Sequence, residues 1–259
     1  MTPLSSRERL ILAEWERARA SRVTRADVAR RWGAEKADKI TSGLVRKGAL
    51  RRVGRGIFLI IPFRAQARPS TPSAAAIVAA LLSDEPYYLS GLWALTFHRL
   101  TLQQYTTRMD AFVARSHQPR TLANARVRFH RVPPSRIAKA SEVTSLEGSP
   151  ARVSTKEGTL LDLLDYPDMA GATHASLGLV KPALGQVDLE ELARLAAAIS
   201  RSSTCQRLGV LLERAGVNPS RLAALRRRAL GTLSLTSMMP GTPRRGQVNA
   251  RWRVVENDL

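Results

Sequence analysis

The stretch from Thr24 to Ile61, TRADVARRWGAEKADKITSGLVRKGALRRVGRGIFLII, constrains the fold more than any other part of the chain. Thr24 is a good N-cap, and Asp27 places a carboxylate three residues on, where a helix N-terminus attracts negative charge. Val28, Ala29 and Trp32 give one short apolar face before Gly33 breaks the helix. The spacing predicts a second helix from about Ala34 to Lys47. Ala37, Ile40, Thr41 and Leu44 face inward in it, while Lys36, Lys39, Ser42, Gly43 and Arg46 point away. Gly48 closes it. Leu50 to Ile60 then reads as two short strands around a tight glycine turn, with Arg51, Arg52 and Arg55. Helix, turn, basic helix and basic hairpin, in that order, is the pattern of a winged helix-turn-helix. There the second helix enters a major groove, and the hairpin arginines reach phosphate or a minor groove. The expected DNA-contacting residues are Arg25, Lys36, Lys39, Ser42, Arg46, Lys47, Arg51, Arg52 and Arg55. Basic helices are often only solvated faces, and winged helices also serve as protein–protein modules. The arginine-bearing hairpin that follows the helix directly favours DNA.

Charge points the same way. The 259 residues carry 41 Lys and Arg against 21 Asp and Glu, a formal net charge of +20 and a pI near 11.5. Such an excess implies a polyanionic partner, nucleic acid or an anionic surface. It is densest early, with 17 basic and 6 acidic residues at or before Arg68. A hydrophobic content of 44% and a mean hydropathy of −0.17 fit a soluble globular protein. No apolar run reaches the ~18 residues that a membrane helix needs. Arg7, Glu8, Arg9 and Glu14 interrupt any signal-peptide core. Cys205 is the sole cysteine, so there is no disulfide framework and no cysteine metal site, and a reducing cytoplasm is the expected setting.

Pro62 to Pro72, PFRAQARPSTP, reads as a connector. It divides the chain into a DNA-binding domain over 1–65 and a larger mixed α/β domain over 72–259, α+β overall. An opening helix over about 5–19 presents Leu10, Ile11, Leu12 and Trp15 to the first domain's core. In the second domain the pattern predicts a helix over about 73–83 and a strand or turn at Tyr87 leading into an apolar helix. Strands follow near 109–114 and 127–131, and another ends at Arg152-Val153. Ser154-Thr155-Lys156-Glu157 has the form of a capping box, opening a helix that Pro167 ends. Two amphipathic helices over 188–199 and 203–215, a third opened by Asn218-Pro219, and a closing strand within 246–255 complete the reading.

Catalytic patterns are missing from this picture. The sequence has no Walker A loop, no dinucleotide-binding glycine motif and no nucleophile elbow. His98, His117, His130 and His174 are scattered, and His98 reads as a hydrogen-bonded, partly buried ring. Gly148-Ser149 followed by Asp162 and Asp165 has a distant likeness to a nucleotidyltransferase site. Two-metal chemistry needs its carboxylates on one strand beside the phosphate loop, whereas these sit three apart on a leucine-rich helix, where capping and solvation account for them. The expectation is a protein that is not an enzyme, with no catalytic residues, cofactor or metal. Arg221, Arg226, Arg227 and Arg228 make the last helix strongly basic, either a solvated face or a second nucleic-acid surface.

Five blocks occur in a telling order: KGALRRVGRGIFLI, YYLSGLWALTFHRLT with Gln103, VSTKEGTLLDLLDYPDMAG, QRLGVLLERAG and RWRVVEN. Together they resemble the AbiEi family, the antitoxins and transcriptional regulators of type IV toxin–antitoxin (abortive infection) systems. Arg99 stands where a glycine is usual after the histidine, and Ala172 interrupts an expected glycine pair. The resemblance implies a cytoplasmic bacterial protein encoded beside a nucleotidyltransferase-like toxin. It implies autorepression through inverted repeats in double-stranded operator DNA, with no membrane involved. It also implies a second domain needed for antitoxicity, opposing the toxin without a stable complex. Two other classes stay open for that domain: a nucleic-acid- or nucleotide-acting enzyme that reverses the toxin's modification, and a protein-binding module.

Overall fold

In the computed structural model, which describes residues 3–18, 20–61, 72–122 and 125–257, two reciprocal capping boxes start the first helices. Ser5 and Glu8 exchange bonds at the head of α1 (Ser6–Arg17), and Thr24 and Asp27 do so at the head of α2 (Arg25–Trp32). Gly33, at φ 92°, ends α2 and begins α3 (Ala34–Arg46) in a single step that glycine takes without steric cost. Strands β1 (Arg22–Thr24), β2 (Leu50–Gly54) and β3 (Ile57–Ile60) form an antiparallel sheet in the order β1-β3-β2, with Val23 opposite Phe58 and Leu50 opposite Ile60. Three residues carry no readable period, which is why β1 has no counterpart in the sequence pattern. Ile11, Leu12, Trp15, Val28, Ala37 and Leu44 join Phe58 and Ile60 in one core. Two expected faces are corrected. Leu10 is 71% exposed, lying outside the narrow stripe that α1 buries. Gly43 is buried, because Glu8 of α1 lies over it.

The chain continues with α4 (Ala74–Leu82), β4 (Tyr87–Ser90), α5 (Leu92–Phe97), β5 (Arg108–Val113), β6 (Arg120–Leu122), β7 (Ala125–Arg131), α6 (Pro134–Ala140), β8 (Ser141–Leu146) and β9 (Ser149–Ser154). A mixed sheet has the order β6-β7-β5-β4-β9-β8. Strands β5 and β7 pair in parallel from Arg108 opposite Arg126 to Val113 opposite Arg131. Glu147 and Gly148, at φ 52° and 82°, join β8 to β9 with the two positive φ values of a type I′ hairpin turn. Helices α7 (Lys156–Asp165), α8 (Thr173–Ala183), α9 (Leu189–Ile199), α10 (Ser202–Arg214) and α11 (Ala223–Ala229) follow. Last come β10 (Thr236–Ser237), β11 (Gln247–Asn249) and β12 (Val254–Glu256), in the order β10-β12-β11. The expected closing strand is therefore two antiparallel ones, because Arg253 at φ 55° turns the chain and Trp252 drops into the core. No helix of the described residues is long and apolar enough to cross a membrane.

Contacts divide the chain into two compact units. One comprises Met1–Tyr87, Arg120–Ala125 and Val143–Arg152, the other Tyr88–Pro119, Arg126–Glu142 and Val153–Leu259. The expected division into 1–65 and 72–259 does not coincide with these units. Ala74–Leu82 belongs to the first, where Leu81 packs over Gly54 and Arg22 donates to the Ala80 carbonyl. Of the expected connector, only Pro72 lies within the described residues.

The second unit is built around leucines 160, 161, 163 and 164 with Tyr88, Phe112 and Trp252. Inside it lies a buried ionic cluster that corrects the reading of Asp162 and Asp165 as capping or solvated residues. Arg136 donates to both carboxylates at 2.7 Å, and Tyr88 and Ser90 donate to Asp162 at 3.1 and 2.7 Å. All three charged side chains are at most 7% exposed. Burial works against the Arg136 charge, but Asp162, Tyr88 and Asp165 outweigh it and hold the guanidinium pKa above its ordinary value. The capping box is also displaced by one residue. Thr155 caps α7 by accepting from the Gly158 amide, while Glu157 accepts from the Asp188 amide.

His98 is hydrogen-bonded as expected: its Nε2 donates to the Ser154 carbonyl at 2.6 Å. Burial lowers its pKa, which the bond to Ser154 only partly offsets. The folded chain thus keeps the ring neutral below the ordinary 6.5 at which the unfolded chain protonates. This contribution to stability is complete above that value and is lost as pH falls toward the folded one. Thermal melts of wild type and His98→Gln across this range should show the wild type losing ground to the variant as the pH drops. Parallel curves would remove His98 from the account.

Candidate nucleic-acid interface

In the first unit a backbone bond ties α2 to the hairpin. The Arg25 amide donates to the Gly56 carbonyl at 2.7 Å, which pins the start of α2 to the hairpin tip. Gly56 has φ 69°, a left-handed conformation that glycine takes without steric cost. Between α3 and the hairpin an open cleft of about 1070 Å³ results. Asp38, Ser42 and Arg46 form one of its walls, spaced four apart and therefore stacked along one face of α3. Arg52, Arg55 and Phe58 form the other wall, and Thr24 and Arg25 close the base.

Five of the nine residues expected at DNA meet in this cleft: Arg25, Ser42, Arg46, Arg52 and Arg55. The other four do not. Lys36 and Lys39 are exposed on α3 but are not among the residues that line the cleft. Arg51 lies on the opposite face of β2 from Arg52, since successive strand side chains alternate. Lys47 is taken up by Glu8 at 2.6 Å, with only 13% and 16% of the two side chains exposed. Burial pushes the Glu8 carboxyl up, but the bonds from Lys47 and Ser5 outweigh it and leave the carboxyl below its usual range.

Sequence reasoning missed Asp38. It makes a two-point ion pair with Arg25, accepting from Nε at 2.6 Å and from Nη2 at 2.7 Å. The Arg25 bond holds its carboxyl below the ordinary value, and Asp38 in turn raises that of Arg25. The signal was present, since Asp38 stands four residues before Ser42, in the stripe already assigned outward. Arg46, Arg52 and Arg55 have no carboxylate partner among the described residues. Their guanidinium groups are geometrically suited to two-point bonds with phosphate or a guanine edge.

No protein-family model matches the chain, and no curated protein matches it. Among solved structures, the crystal structure of RV2827C protein from Mycobacterium tuberculosis is similar over 98% of this chain and 92% of that one, with a TM-score of 0.63 at 16% identity. At that identity the likeness is one of fold, and the chain is α+β along nearly its whole length.

Proposed function

We propose that the first unit is a winged helix-turn-helix that binds double-stranded DNA, with α3 in the major groove and the β2–β3 hairpin as the wing. The observation that carries this reading is the cleft that Arg46, Arg52 and Arg55 share, three guanidiniums on two walls of one groove, without carboxylate partners among the described residues. The net charge of +20 supports it. The resemblance to AbiEi proteins extends the proposal. The chain acts in the cytoplasm as the autorepressor and antitoxin of a type IV system, opposing a nucleotidyltransferase-like toxin without a stable complex.

Base-edge contacts discriminate sequences by ~1–3 kcal/mol each, whereas phosphate contacts add affinity without preference. Ser42→Ala and Arg46→Ala should therefore narrow the gap between operator and scrambled duplex. Arg52→Ala and Arg55→Ala should weaken both alike and lower the salt slope by about 0.9 for each phosphate left unneutralised. Binding isotherms at several salt concentrations separate the two sets. Loss of discrimination in the hairpin variants alone would make the wing the reader. For antitoxicity, co-expression with the neighbouring gene product should restore growth, and continued arrest would remove the antitoxin role.

A further inference from the structure

Among the residues lining the cleft, Asp38 and Asp84 are the carboxylates, and the Asp38 carboxylate is held two-point by Arg25. Both side chains are about half exposed, 47% for Arg25 and 64% for Asp38, so the pair is open to exchange with a solvent-side ligand. A pair this exposed is screened by water and holds too weakly to resist a competitor that satisfies both partners. A phosphate alone satisfies only one. It would take the arginine and leave a bare carboxylate beside its own negative charge.

We infer that Asp38 is a specificity-determining residue that withholds Arg25 from phosphate on non-specific DNA and releases it where a base-edge amine takes its place. This rests on the DNA-binding reading of the cleft. Asp38 lies on the same stripe of α3 as Ser42 and Arg46, the side that faces base edges in that reading. Cytosine presents a suitable donor in the major groove, and a carboxylate accepts from it. On such a site both partners exchange without loss: Asp38 accepts from the amine and Arg25 donates to the backbone. On other sequences the pair stays closed, and one fewer phosphate is neutralised.

The test uses the full chain and a pool of short duplexes of randomised sequence, titrated with salt. Asp38→Ala should bind the pool several-fold more tightly than wild type, with a salt slope steeper by about one unit, because Arg25 is freed. Asp38→Glu keeps the carboxylate and should stay near wild type. Asp38→Asn removes only the charge and repeats the test should the alanine variant fail to fold. Arg25→Ala should leave the wild-type slope almost unchanged, yet lower it by about one unit in the Asp38→Ala background. Sequences selected from the pool by wild type should show a cytosine preference that Asp38→Ala lacks. A drop of one unit on Arg25→Ala alone, or an unchanged slope in both Asp38→Ala and Asp38→Asn, overturns the inference and leaves the DNA reading intact. Failure of the wild type to bind any duplex overturns both.

Discussion

Arg136→Met should destabilise the second unit by about 3–5 kcal/mol, because it strands two carboxylates in the core. Asp162 is wholly buried, and burial pushes its carboxyl up while Arg136 pulls it back. Without the guanidinium, both carboxylates must take up protons or bring in water. Asp162→Asn or Asp165→Asn leaves the guanidinium short of one charge instead, and falls in the same class of effect. Replacing all three residues with apolar ones of similar size should cost far less than the single changes added together, since no ion is then left unpaired. Urea unfolding of the four variants measures this. A loss below about 1 kcal/mol for Arg136→Met would mean that solvent reaches the cluster. An Asp162→Asn/Asp165→Asn variant is expected to be destabilised, since Arg136 is then buried without a carboxylate. That substitution therefore cannot diagnose catalysis unless the variant is shown to be folded.

Gly209→Ala should be the second large effect, against the usual direction. Within an exposed helix this exchange stabilises by up to about 1 kcal/mol. Here the added Cβ would overlap the six-membered ring of Trp252, itself fully buried against α10. The ring must move out of a close-packed core, an overpacking cost of about 1–3 kcal/mol or more. Trp252→Ala alone removes the indole and should cost about 3–5 kcal/mol. The two changes together should cost less than their sum, because the alanine then meets a cavity instead of a ring. Denaturant midpoints for the cycle decide it. A Gly209→Ala variant as stable as wild type would show that the ring has room to shift.

The elements that could be read from sequence were those with local causes. Ser5, Thr24, Ser73 and Asp188 each place a side-chain oxygen on early amides of a helix, so its start is written within a few residues. The cleft was legible in part for the same reason. Helical spacing assigned Ser42 and Arg46 to one face, and a glycine hairpin is a local pattern. What failed depends on long-range packing. Lys47 looks like any basic helix terminus until Glu8, far away in sequence, meets it. Asp162 and Asp165 look like solvated acids until Arg136 arrives from a helix that carries no strong period of its own. The unit boundary was missed because the Pro-rich composition of 62–72 is a local cue, while the assignment of Ala74–Leu82 follows from what its apolar residues touch. Arg99 is instructive in the other direction. Its φ of 59° is a conformation that glycine adopts freely, which gives a physical reason to expect glycine there.

The late position of Trp252 in the chain has a consequence for folding during synthesis. Tyr88, Phe112 and Leu161 leave the ribosome well before the indole that completes their shared core. Until it emerges, that apolar surface stays open to chaperones and proteases. A message cut short ahead of the Trp252 codon yields a chain that lacks both the indole and β12, the middle strand of its sheet, and such products are expected to be cleared. The cellular dose of this protein would then follow the number of completed rounds of translation more closely than the number of initiations.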